Sequence, residues 1–74
     1  MSCQLRDTVF SYLENHTKDE IEEMLETTEV LLIVLKASAK AGDEKAITEY
    51  NKFAFARQAL SMAIAFLERT GEEQ

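Results

Sequence analysis

Residues 43–67 contain neither glycine nor proline, and this run predicts one long helix with apolar residues on two of its sides. At about 100° per residue, one apolar stripe predicts an intramolecular seam. The seam comprises Ala46, Tyr50, Phe53, Leu60, Ile64 and Leu67. A second stripe on nearly the opposite side comprises Phe55, Ala59, Met62 and Phe66. Because a surface helix in so short a chain should be polar on the side away from its neighbour, the second stripe predicts burial against a further surface.

The preceding segment predicts a second helix over about 18–40. Thr17 and Glu20 have the spacing of a capping box, and acidic residues follow in the first turns, where the helix dipole favours them. The run at 30–35 is apolar on every side of this helix, so Val30, Ile33 and Val34 are also expected at a surface that needs covering. A strand at 30–35 is rejected, because the helical spacing continues on both sides of the run.

A tight corner separates the two long helices. Gly42 suits the left-handed position that ends a helix, and Asp43 suits the cap of the next. So short a link predicts an antiparallel hairpin of helices at about 18–40 and 43–70. The predicted intramolecular core comprises Leu25, Leu32, Leu35, Tyr50, Phe53, Leu60, Ile64 and Leu67.

The N-terminal segment predicts a short amphipathic helix over about 3–14, carried by Leu5, Val9, Tyr12 and Leu13, with Phe10 off its main stripe. The last residues, 71–74, are expected to be a frayed tail. The fold class is therefore all-α, and residues 1–74 are expected to form a single helical domain. At 74 residues its core is marginal, so such a fold usually needs a staple or a partner.

Charge and composition restrict the partners and the compartment. The formal net charge is −6 and lysines and arginines do not cluster, which argues against nucleic acids and anionic membranes. No basic segment followed by an apolar segment opens the chain, and the longest apolar run is too short to cross a bilayer. The single cysteine, Cys3, excludes an intrachain disulfide. We expect a soluble, cytoplasmic protein without membrane insertion.

The residues for chemistry are nearly absent. Nucleophilic catalysis needs a positioned base, but the only histidine, His16, falls at a helix junction, where we interpret it as a surface residue. Metal sites in helical bundles need Glu-x-x-His pairs, and calcium loops need alternating Asp or Asn around a glycine; neither pattern occurs. The sequence therefore predicts no catalytic residues, no metal and no cofactor.

Half of the acidic residues lie within residues 14–29. A solvated helix face with favourable dipole placement is one interpretation. Contact with a basic patch on a protein partner is another, and mimicry of nucleic acid is a third.

The apolar excess has three explanations. The N-terminal helix folds back over the second stripe, two copies pair, or a different protein covers it. The predicted protein interface comprises Phe55, Ala59, Met62 and Phe66, with Val30, Ile33 and Val34 as further candidates.

The corner 40–43, a following helix with Tyr50, and the segments Ala59-Leu60 and Ala63-Ile64-Ala65 resemble the YscE-type small co-chaperones of type III secretion needle proteins. The resemblance covers about residues 31–67, and the interval between the corner and the Ala-Ile-Ala segment is about one turn longer here. It implies pairing with a tetratricopeptide-like helical-repeat chaperone to keep a needle subunit monomeric and soluble before export. The competing hypothesis is a homodimeric helical-hairpin regulator or inhibitor of phage or plasmid type, and self-association is also an option for the isolated chain.

Overall fold

The computed structural model describes residues 2–71, with side chains described for residues 4–70. It contains three helices: α1 (Ser2–Asn15), α2 (Lys18–Lys40) and α3 (Glu44–Gly71). The predicted all-α fold is confirmed, and each boundary lies within one residue of its predicted position. The helices form an elongated body of 46 × 25 × 17 Å. The predicted tail at 71–74 lies outside the described residues except for the backbone of Gly71, and so does the side chain of Cys3.

The capping box predicted at the start of α2 is present. The backbone N–H of Glu20 donates to the Thr17 hydroxyl at 3.2 Å, and the backbone N–H of Thr17 donates to the Glu20 carboxylate at 3.0 Å. These two bonds satisfy donors that the first turn of a helix leaves unpaired. They fix where α2 begins, and therefore where α1 must end.

We expect Thr17→Ala to lower the free energy of unfolding by about 1 kcal/mol, because the cap loses its acceptor. Urea denaturation followed by circular dichroism measures this difference. Thr48→Ala is the matched control, since Thr48 is exposed within α3. An equal loss in both variants would show that the cap contributes nothing specific.

The corner between α2 and α3 has the predicted chemistry. Gly42 has a φ of +95°, in the left-handed region that glycine tolerates best. Its N–H donates to Ala39, and the N–H of Asp43 donates to Ser38, which closes α2 in a Schellman motif. The Asp43 carboxylate then accepts from the backbone N–H of Lys45 at 3.0 Å. Both helix ends are thus satisfied within a few residues, and α3 turns back along α2 as an antiparallel hairpin.

Buried side chains run along the hairpin and concentrate where all three helices meet. The buried apolar residues are Val9, Ile21, Leu32, Ala46, Ala59, Leu60 and Ala63. Leu60 and Ile21 are the largest fully buried side chains. The eight predicted core residues are all buried or half-buried. The buried Thr28 hydroxyl donates to the carbonyl of Met24 at 2.8 Å, so the core contains no unpaired donor at this position.

Helix α1 packs within the same chain, mainly on α3. Val9 packs in one cluster with Ala59 and Ala63, whose small side chains allow the two helices to approach closely. This corrects the expectation for Ala59: it lies on the second stripe, but it is fully buried by α1 and is not available to another protein. Of the three explanations for the apolar excess, folding back of α1 therefore accounts for the centre of the stripe.

Candidate protein-interaction surfaces

Three residues of the second stripe remain partly exposed after α1 has packed. Phe55 lies at the N-terminal end of the stripe, and Met62 and Phe66 line a groove with residues of α1. Their large side chains keep between 37% and 45% of their surface in contact with solvent. At these three positions the predicted interface is exposed apolar surface, and its contact with another protein stays a prediction.

Met62 and Phe66 belong to an apolar groove of about 420 Å³ between α1 and α3, here called the α1–α3 groove. It is lined by Leu5, Arg6, Val9, Phe10, Met62, Ala65, Phe66 and Arg69. The Phe10 and Phe66 rings meet edge to face, with centroids 6.5 Å apart and planes at 84°. Such pairs contribute about 0.5–1.5 kcal/mol beyond their buried area, so the floor of the groove is held in place by its own residues.

Two arginines border this groove. Arg6 lies one turn before Phe10 on α1, and Arg69 lies one turn after Phe66 on α3. Both are exposed, and neither forms an ion pair with any side chain that the structure describes. In a chain of net charge −6, this is a local cationic border around an apolar floor. The arrangement suits an apolar side chain whose neighbours carry carboxylates.

The candidates on α2 form a different surface, here called the outer face of α2 and defined by Val30, Ile33 and Val34. Their exposed fractions are 60%, 72% and 60%. At 100° per residue, this face is opposite the side of α2 that carries the buried Ile21.

A neighbouring groove confirms that the two surfaces are separate. Ile33 lines it with Ala54 and Arg57 of α3, whereas Met62 and Phe66 line the groove with α1. The further candidates on α2 therefore lie on a second apolar surface, and their contact with another protein stays a prediction. Leu31, on the same helix, is also exposed over 37% of its surface.

The polar candidates have local roles. The exposed His16 ring lies 3.4 Å from the Glu20 carboxylate and 6.2 Å, between centroids, from the Tyr12 ring. All seven acidic side chains within residues 14–29 are exposed, which agrees with a solvated face. Among the described residues, no three His, Cys, Asp or Glu side chains are grouped as metal ligands. No buried polar side-chain atom in the described part lacks a hydrogen-bond partner.

Comparisons with protein-family models, with curated proteins and with solved structures give no match. Within residues 2–71, no helix combines the length and hydropathy that crossing a membrane requires. The two apolar surfaces are therefore the features of the molecule from which a function can be inferred.

Sequence reasoning found most of the apolar residues but missed the border of the groove. Arg6, Ala65 and Arg69 have no distinctive spacing by themselves. Each lies next to an aromatic residue or one turn from it along the helix. This spacing indicates a shared groove only once α1 is known to pack on α3. A helix pairing that brings residues 5–10 to residues 62–69 cannot be read from local periodicity.

Proposed function

We propose that this chain is a non-enzymatic, cytoplasmic co-chaperone that binds a helical-repeat, tetratricopeptide-like chaperone through the α1–α3 groove. The pair would keep a type III secretion needle subunit soluble and monomeric before export. The observation that carries the proposal is the exposed apolar surface of Phe10, Met62 and Phe66, in which the two phenylalanine rings pack against each other. The resemblance of residues 31–67 to YscE-type co-chaperones supplies the class of partner.

The energetics fit a surface that is completed by a partner. Full burial of a Phe or Met side chain contributes about 1.5–3 kcal/mol, and these three are already about half-buried. Covering what remains would contribute about 2–4 kcal/mol in total, which is less than association costs. The interface must therefore extend along α3 to Phe55. A concave helical-repeat surface can follow a helix over such a length.

The cationic border predicts the chemistry of the partner. Arg6 and Arg69 would face carboxylates that flank an apolar segment of the chaperone. Such border charges chiefly affect the rate of association and its dependence on salt. The apolar floor would supply most of the affinity.

The experiment is capture of tagged protein from its native host, followed by identification of the bound proteins and light scattering of the complex. We expect a small helical-repeat protein in about 1:1 ratio, with or without a needle subunit. Recovery of the chain without any partner, at monomer or dimer mass, would overturn the proposal.

Substitutions then test the surface. Met62→Asp and Phe66→Asp are expected to abolish the complex, because a carboxylate in the contact would lose its hydration without gaining a partner. The matched control is Ile47→Asp, since Ile47 is also on α3, has 42% of its surface exposed and does not line the groove. All three variants should remain helical by circular dichroism. A complex that survives both groove substitutions would show that the partner binds elsewhere.

A further inference from the structure

The outer face of α2 is flanked by acidic residues on one side of its apolar centre and by basic residues on the other. Glu23, Glu26 and Glu29 precede the centre, and Lys36 and Lys40 follow it. All five are exposed. A segment that is acidic at one end, apolar in the middle and basic at the other end is complementary to its own reversed copy.

We propose that the outer face of α2 is a self-association surface that pairs with the same face of a second copy of this chain, with the two α2 helices antiparallel. A two-fold axis near residues 31–32 places Val30 against Ile33 of the second copy. Heptad geometry then places Glu29 beside Lys36 of the second copy, and Glu23 beside Lys40 of the second copy. The two-fold axis repeats each contact, so four pairs of opposite charge surround the apolar centre.

The charges also select the direction of pairing. In a parallel arrangement, Glu23 would lie beside Glu23 of the second copy, and Glu26 beside Glu26. Like charges at such positions repel. An antiparallel shift by one heptad would bring the two copies of Lys36 together. Of these three arrangements, the antiparallel one centred on Val30 and Ile33 aligns acids with lysines and keeps the β-branched residues in contact.

These charged groups are available for such contacts. The ion pairs between described side chains involve none of these five residues. Arg57 borders the same groove as Glu29 and Lys36, and it forms no ion pair with Glu29 in the single chain. Val30, Ile33 and Val34 have the three largest exposed fractions among the exposed large apolar residues. A second copy would cover this surface without disturbing the α1–α3 groove.

The proposed dimer is tested with the purified full chain under reducing conditions, which prevent a disulfide between the Cys3 residues of two copies. Sedimentation equilibrium over a dilution series is expected to show a species of twice the 8.4 kDa monomer mass that dissociates on dilution. Ile33→Glu is expected to leave only monomer. Ile47→Glu is the matched control, because it also places a carboxylate at an exposed isoleucine, and it should dimerise like the wild type. A wild-type chain that stays monomeric at every concentration overturns the proposal.

A charge exchange tests the register. Lys36→Glu and Glu29→Lys, made singly, are each expected to raise the dimer dissociation constant by about tenfold, because two attractive pairs become repulsive. The double variant Glu29→Lys/Lys36→Glu should restore the wild-type constant, since each pair is re-formed with its signs exchanged. Lys45→Glu, an exposed lysine on α3, serves as the control and should have little effect. Failure of the double variant to recover dimerisation overturns the antiparallel register.

This inference does not rest on the proposed co-chaperone function, and the two can fail separately. Met62→Asp should remove the helical-repeat partner and keep the dimer. Ile33→Glu should remove the dimer and keep the partner. If Ile33→Glu instead also abolishes capture of the partner, the outer face of α2 is a heteromeric surface and the second-copy proposal is overturned.

Discussion

Leu60→Ala is expected to lower the free energy of unfolding by about 2–5 kcal/mol, because it removes a fully enclosed side chain and leaves a cavity. Leu60 is 1% exposed and packs in the cluster where α1, α2 and α3 meet. A domain of this length has a total stability of about 4–11 kcal/mol. The substitution is therefore expected to bring the chain close to the limit of folding at room temperature.

Urea denaturation followed by circular dichroism at about 222 nm, a standard probe of helix content, measures the change in the free energy of unfolding. Leu31→Ala is the matched control, because Leu31 is exposed on α2 and the same atoms are removed. Its expected cost is smaller, about 1–2 kcal/mol, because the Leu31 side chain is partly in solvent and leaves no enclosed cavity. Equal losses in the two variants would contradict the assignment of Leu60 to the centre of the core.

Ala59→Asp is expected to lower the free energy of unfolding by about 3–5 kcal/mol, because it places an unpaired carboxylate in an apolar cluster. Ala59 is fully buried and shares that cluster with Val9 of α1. The larger side chain would also force α1 away from α3. Loss of the α1–α3 contact should therefore accompany the loss of stability.

Ala65→Asp provides the control, since Ala65 is exposed on the same helix and the change in helix propensity is the same. It should cost less than about 1 kcal/mol. Amide hydrogen exchange distinguishes the two: protection in α1 should collapse in Ala59→Asp and persist in Ala65→Asp. If α1 keeps its protection in Ala59→Asp, this alanine does not hold the two helices together.

The two proposed surfaces lead to a definite picture of assembly. The α1–α3 groove and the outer face of α2 are lined by different residues. Under both proposals, the dimer through α2 would leave each groove open to a chaperone. The resulting complex would contain two copies of this chain and two of the partner. Without the partner, the same protein would be a dimer with two exposed grooves.

Local sequence determined the helices and their ends, because each signal acts within one or two turns. The Thr17 and Glu20 side chains reach backbone groups three residues away, and Gly42 adopts a positive φ that any other residue would resist. The seam between α2 and α3 was also predictable, because a short corner leaves two long helices only an antiparallel arrangement.

Only the tertiary structure decided which residues of the second stripe are buried and which are exposed. Periodicity places Ala59 and Met62 on one face, but it cannot say that α1 covers the first and leaves the second partly open. Nor can it bring Arg6 and Arg69 to one groove, because their proximity depends on where α1 crosses α3. Helix formation depends on neighbours a few residues apart, whereas surface and core are distinguished by contacts between segments distant in sequence.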